Sequence, residues 1–145
     1  MKSSSLAIHG RLRKVFLDTN FLVAFFAEDD DLHKESLLVH KRIVLDKPEL
    51  LISWPIIGET VALLRYRYGY EEARVFSGTL SAYQIMEVSN AHYREAMGVW
   101  HTRAKEYRLS LVDAITYVLV SQDEVLPVVT FDQDFRRLGV STIPA

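Results

Sequence analysis

Four acidic residues lie far apart in the chain: Asp18 after Val15-Phe16-Leu17, Glu59 after Ile56-Ile57-Gly58, Asp113 after Leu111-Val112, and Asp132 after Thr130-Phe131. At least three of them stand where an α/β fold would end a strand or begin a helix. If the fold gathers them, they make a pocket of hard oxygen donors, which suits Mg²⁺ or Mn²⁺. Hydrolysis of a phosphate ester is then the first reaction to consider. Each acid also has a plainer reading. Asp18 is a good helix N-cap, although Thr19 and Asn20 can cap as well. Glu59 falls beside its i−3 and i+4 neighbours Ile56 and Leu63, on the margin of an apolar stripe where a solvated glutamate is equally at home. Ser110-Leu111-Val112-Asp113 fits a capping box, so cap and ligand compete for one helix start. Asp132 and Asp134 can each cap the short turn that follows.

Conjunction favours chemistry over four separate caps. Residues at the carboxyl ends of neighbouring parallel strands must converge, because that edge is where open α/β sheets bind ligands. Two carboxylates roughly 5 Å apart repel by about 3 kcal/mol at an effective dielectric of about 20. Without a cation, at least one of them is expected to titrate above its usual range.

Alternating elements are predicted to position these residues. Lys14 to Leu17 reads as a buried strand feeding a helix through Phe21, Leu22, Phe25 and Phe26. Four consecutive acids, Glu28 to Asp31, break that pattern, and a helix over Asp31 to Leu45 follows. Leu50 to Ser53 is a strand, with Pro55 in the first turn of a helix that fades at Tyr68-Gly69. A helix is expected over Glu71 to Ala82, a strand over Ile85 to Val88, and a helix from Ala91 to Arg108 capped by Asn90. Ser110 opens a helix to Ser121. Pro127 to Phe131 is a β-branched strand, Phe135 to Leu138 a single turn ended by Gly139, and Val140 to Ile143 an edge strand. Strands alternating with helices imply an α/β fold, a parallel sheet with helices on both faces.

The 145 residues fit one domain, 49% hydrophobic and 25% charged, as in a folded protein rather than a disordered one. With no cysteine, disulfides, thiolate zinc and cysteine nucleophiles are excluded, and a reducing cytoplasm is the simplest compartment. The formal charge of −2 turns mildly positive once the four acids are set aside, an acidic centre within a basic surround that suits a nuclease. Residues 1–13 read as an N-terminal arm ahead of a single domain over 14–145. The longest apolar run, Phe21 to Ala27, is far too short to span a membrane.

Taken together, Leu17-Asp18-Thr19-Asn20-Phe21-Leu22, Leu109-Ser110-Leu111-Val112-Asp113-Ala114 and Thr130-Phe131-Asp132-Gln133-Asp134-Phe135 resemble three motifs of the PIN domain, and within it the VapC-type toxin ribonucleases. The likeness covers about residues 14–143, and the remaining motif rests on Glu59 alone. It implies a three-layer α/β/α sandwich with a mainly parallel central sheet and a Mg²⁺- or Mn²⁺-dependent endoribonuclease. Asp18 and Asp113 would then be the principal metal ligands, Glu59 and Asp132 would complete an acidic quartet, and Asn20, Thr130 and Asp134 would orient ligands or water. It also implies an RNA substrate, a small antitoxin that inserts a segment near the pocket, and a homodimer.

Substrate grip must come from elsewhere. Arg65 and Arg67 are interleaved with Tyr66, Tyr68 and Tyr70, and Arg108 follows Tyr107; such clusters can pair phosphates and stack on unpaired bases, or simply form a solvated helix face. His33 and His92 read as surface or packing residues, and Trp54 and Trp100 as core. Phosphoaspartyl receivers and haloacid-dehalogenase-like phosphatases fit less well: Thr19-Asn20 follows Asp18 where paired acids or D-x-D are needed, and no lysine occurs beyond Lys105. A PIN-like binding module that pairs with an antitoxin or RNA-processing partner and catalyses nothing is the rival of a different class.

Overall fold

The computed structural model describes residues 10–122 and 126–145. Most of the expected N-terminal arm, residues 1–9, lies outside them. At its described end Leu12 is buried, and its backbone N–H donates to Asp46 Oδ2 at 2.8 Å.

Five strands form the sheet: β1 (Lys14–Leu17), β2 (Glu49–Ser53), β3 (Gln84–Met86), β4 (Val128–Val129) and β5 (Thr142–Ile143). Their order is β3-β2-β1-β4-β5, and every pairing is parallel. Phe16 aligns with Leu51 on one side and Val128 on the other, so β1 is central. Its Val15, Phe16 and Leu17 are buried, the continuous apolar run that a strand covered on both faces requires. The helices are α1 (Thr19–Phe26), α2 (His33–Val44), α3 (Trp54–Arg67), α4 (Tyr70–Ser77), α5 (Asn90–Arg103), α6 (Leu111–Ser121) and the single turn α7 (Asp134–Arg137). α1, α3 and α4 pack together, and α5 packs on α6, giving the α/β/α layering. Phe16, Phe76, Leu22, Ile52, Ile56, Leu64 and Leu119 fill the core.

Local chemistry sets most boundaries. Ser53 caps α3 by accepting the Ile56 N–H at 3.4 Å, with Pro55 in the first turn. Gly69, at φ +133°, makes the break between α3 and α4 in a conformation that a side chain would strain. Gly78 ends α4 at Ser77, so the expected helix to Ala82 is only a 3₁₀ turn over Leu80–Ala82. α5 begins at Asn90 because Ser89, not Asn90, is the cap, and it stops at Arg103, five residues short of expectation. His92 completes that capping box through Nδ1, which accepts the Ser89 N–H, and His33 Nδ1 lies 2.7 Å from the Ala24 carbonyl. Both histidines serve the fold. The tryptophans are not core: Trp54 is 61% exposed at the outward first position of α3, where Ile56 and Ile57 take the inward places. Trp100 is partly exposed and donates to the Leu109 carbonyl. Among the described residues no helix is long and apolar enough to cross a membrane.

Candidate active site

Strand order reverses at β1. The chain fills one side of it with β2 and β3, then crosses to the other for β4 and β5. That leaves a crevice beyond the carboxyl ends of β1 and β4, the usual ligand position in an open parallel sheet. Asp18 follows β1 there, and the Thr130-Phe131-Asp132 corner follows β4. The Asp18 N–H bonds the Val129 carbonyl at 3.0 Å, which ties the two strand ends together.

A cleft of about 380 Å³ opens at this point, and Asp18, Glu59, Asp113 and Asp132 all line it. Asp18 occupies the N-cap position of α1 but makes no side-chain cap, so the capping reading fails for it. Its Oδ2 instead accepts the Thr130 hydroxyl at 2.8 Å. Thr130 Oγ1 in turn accepts from Asn20 Nδ2 at 3.1 Å and from the Asp132 N–H at 3.0 Å, which uses one donor and two acceptor positions in full. Asn20 Oδ1 also takes the Phe131 N–H at 3.0 Å. Asp132 is fixed by the Asp134 N–H on its Oδ1 at 2.9 Å, whereas the Asp134 carboxylate turns away to pair with Arg137.

For Asp113 the two readings coexist. Ser110 and Asp113 form a full capping box, with both bonds at 3.0 Å, yet the carboxylate still lines the cleft. Glu59 reaches the cleft from α3 and is half-buried, as its place on the stripe margin allows.

The electrostatics report mutual proximity. Asp18 is 3% exposed, and its pKa is pushed up to about 7, first by burial, then by the Asp113 charge and, less, by Glu59; the Thr130 hydroxyl and Thr19 N–H pull the other way. Asp113 is raised to about 6, again by burial first, with Ser110 opposing and Asp132 and Glu59 reinforcing. Among the described residues no three His, Cys, Asp or Glu side chains stand in ready metal-holding geometry. The donor set nonetheless fits a hard divalent ion: it is all oxygen, one member is desolvated, and the Thr19 hydroxyl in the same wall is buried without a partner.

The arginines divide. Arg67 lines the cleft. Arg65 lies over the Tyr70 ring at 5.4 Å, in a separate groove of about 600 Å³ between α3 and α4 that holds none of the acids. Arg108 is exposed and outside the cleft lining. Sequence reasoning missed Asp30, which lines the cleft, accepts the Tyr68 hydroxyl at 2.6 Å and takes the Leu32 N–H at 2.9 Å. It sits within four consecutive acids, and nothing in such a run says which member turns inward.

Known proteins share this frame. Mycobacterium tuberculosis VapC20, a Sarcin-Ricin loop cleaving toxin, is 26% identical, with a TM-score of 0.74 over 87% of this chain and 95% of its own. VapBC2 from Rickettsia felis, solved bound to a promoter DNA fragment, is 17% identical, with a TM-score of 0.58 over 89% of this chain and 96% of its own. A toxin–antitoxin complex from Klebsiella pneumoniae is 22% identical, with a TM-score of 0.57 over 83% and 89%. No curated protein matches the chain. The PIN domain family model matches residues 15–140, a span that runs from Val15 in β1 through β4, stops short of β5, and includes Asp18, Glu59, Asp113 and Asp132, and the chain therefore belongs to the PIN domain family.

Proposed function

We propose that this chain is a Mg²⁺- or Mn²⁺-dependent endoribonuclease of the VapC type, the toxin of a toxin–antitoxin pair. The observation that carries the reading is the meeting of Asp18, Glu59, Asp113 and Asp132, from distant segments, in one cleft; burial and the Asp113 charge push the Asp18 pKa up to about 7. Likeness to a toxin that cleaves the Sarcin-Ricin loop supports RNA as the substrate.

Asp18 and Asp113 would hold the ion, with Glu59 and Asp132 completing the set. When bound, such an ion lowers the pKa of water and offsets charge on the departing oxygen. The protein's own groups do the rest. Thr130 and Asn20 keep Asp18 and Asp132 in register across the β1–β4 crevice. The Ser110 cap fixes the Asp113 carboxylate. Glu59 or Asp132 accepts the proton of the attacking water, and the products carry a 5′-phosphate and a 3′-hydroxyl.

The partners proposed are a small antitoxin, supported by likeness to toxin–antitoxin complexes, and a second copy of the chain. The deciding experiment is cleavage of structured RNA with Mg²⁺ or Mn²⁺, beside Asp18→Asn and Asp113→Asn. Cutting should need the metal and fall at least a hundredfold in both variants, on the scale of losing a charge-stabilising group. Equal cutting in EDTA removes the reading. A chain that binds an antitoxin but cuts nothing is the non-catalytic module.

A further inference from the structure

An RNA strand approaching a cleft lined by five carboxylates, Asp30 included, is repelled unless something positive stands at the entrance. Arg67 is the one basic side chain lining the cleft among the described residues. It is exposed, and the described ion pairs engage Arg74 and Arg137 instead. Glu59, Leu63, Tyr66 and Arg67 stand at i, i+4, i+7 and i+8 of α3, so they share one face of the helix. At 1.5 Å per residue that face carries the cleft outward by about 12 Å from Glu59 to Arg67. Among the described residues Tyr66, at 89% exposed, is the most exposed of the large hydrophobic side chains, and no hydrogen bond or ring contact described there engages it. The end of the helix is also held rigid, because Tyr68, at its C-cap, donates to Asp30 on the cleft wall at 2.6 Å.

We propose that the outer face of α3 formed by Leu63, Tyr66 and Arg67 is a binding track for unpaired RNA. Arg67 grips a phosphate beside the one that is cut, and Tyr66 stacks on an adjoining base. The inference rests on the nuclease reading but adds the form of the substrate: a single strand or loop whose bases are free to stack. The bland role for Arg67, a cation at a helix C-terminus, accounts for its position but not for the bare ring one residue before it.

The test is binding of a short fluorescein-labelled single-stranded RNA of mixed sequence to the full chain carrying Asp18→Asn, in Mg²⁺ across a salt series. Adding Arg67→Gln should weaken binding about tenfold and reduce the salt slope by about 0.7. Tyr66→Ala should weaken it about five- to a hundredfold with the slope unchanged, and Tyr66→Phe should retain it. Arg94→Gln, on the exposed side of α5, controls for lost charge and should have little effect. No binding, or equal weakening by Arg67→Gln and Arg94→Gln, overturns the track. Wild-type chain that cuts RNA indifferently to Arg67 and Tyr66 removes the track alone. Wild-type chain that binds through both residues but cuts nothing keeps the track and removes the nuclease reading.

Discussion

Thr130 does the most positioning with the least chemistry. Its hydroxyl joins Asp18, Asn20 and the Asp132 backbone, so one atom couples the ends of β1 and β4. Thr130→Val keeps the shape and β-branching but orphans two donors and a buried carboxylate. It should cost about 1–3 kcal/mol in urea unfolding and lower cleavage well beyond any loss of folded protein. A variant with native stability and activity would show the hydroxyl to be incidental. Asp18 supplies a pH signature. Its folded pKa near 7 lies above the usual 3.8, so the native state holds this proton more tightly than the unfolded chain does. The penalty is absent below pH about 4, grows as pH rises, and reaches of order 4 kcal/mol above the folded pKa. In EDTA the chain should therefore be less stable at pH 8 than at pH 5.5, and Asp18→Asn should flatten that slope; adding Mg²⁺ at pH 8 should recover stability if the ion binds there. An unchanged slope in Asp18→Asn would assign the pH response to other groups.

Helix starts are where the site is built, and one side chain can serve two masters. Asp113 closes the capping box of α6 while lining the cleft. Ser110→Ala removes the acceptor of the Asp113 N–H, so it should lower stability by about 1 kcal/mol and weaken metal affinity by loosening the first turn from which the carboxylate projects. Calorimetry of Mn²⁺ binding, with thermal unfolding in parallel, separates the two effects; lost stability with unaltered affinity would confine Ser110 to the cap. Element types were readable because the periodicities are clean: Val15-Phe16-Leu17 is continuously apolar, and Ser110-x-x-Asp113 marks its helix. Ends were less so. α4 stops at Gly78 and α5 starts one residue early because a cap is a local hydrogen-bond choice, with Ser89 competing against Asn90. Trp54 failed for a related reason: bulk predicts burial, but its slot beside Pro55 faces outward.

Across the whole molecule, the acids were legible as a list, and their meeting only as an expectation from alternating strands and helices. Convergence follows from strand order, and order follows from long-range pairing that no local pattern encodes. Asp30 shows the limit, since its selection from a run of four depends on Tyr68, thirty-eight residues away. At this scale the proposed homodimer is checked by light scattering at micromolar concentration, where a mass near twice 16.7 kDa is expected and a monomer counts against it.

The central position of β1 has a bearing on synthesis. One flank of that strand is filled by β2, which follows closely in the chain, while the other waits for β4, made after β2, β3 and most of the helices. Until then an apolar edge lies open and Thr130 has not arrived to hold Asp18. A product cut short before Val128 therefore carries an exposed apolar edge and lacks the hydroxyl that couples the two strand ends, so any chain that stops early is sticky before it is anything else.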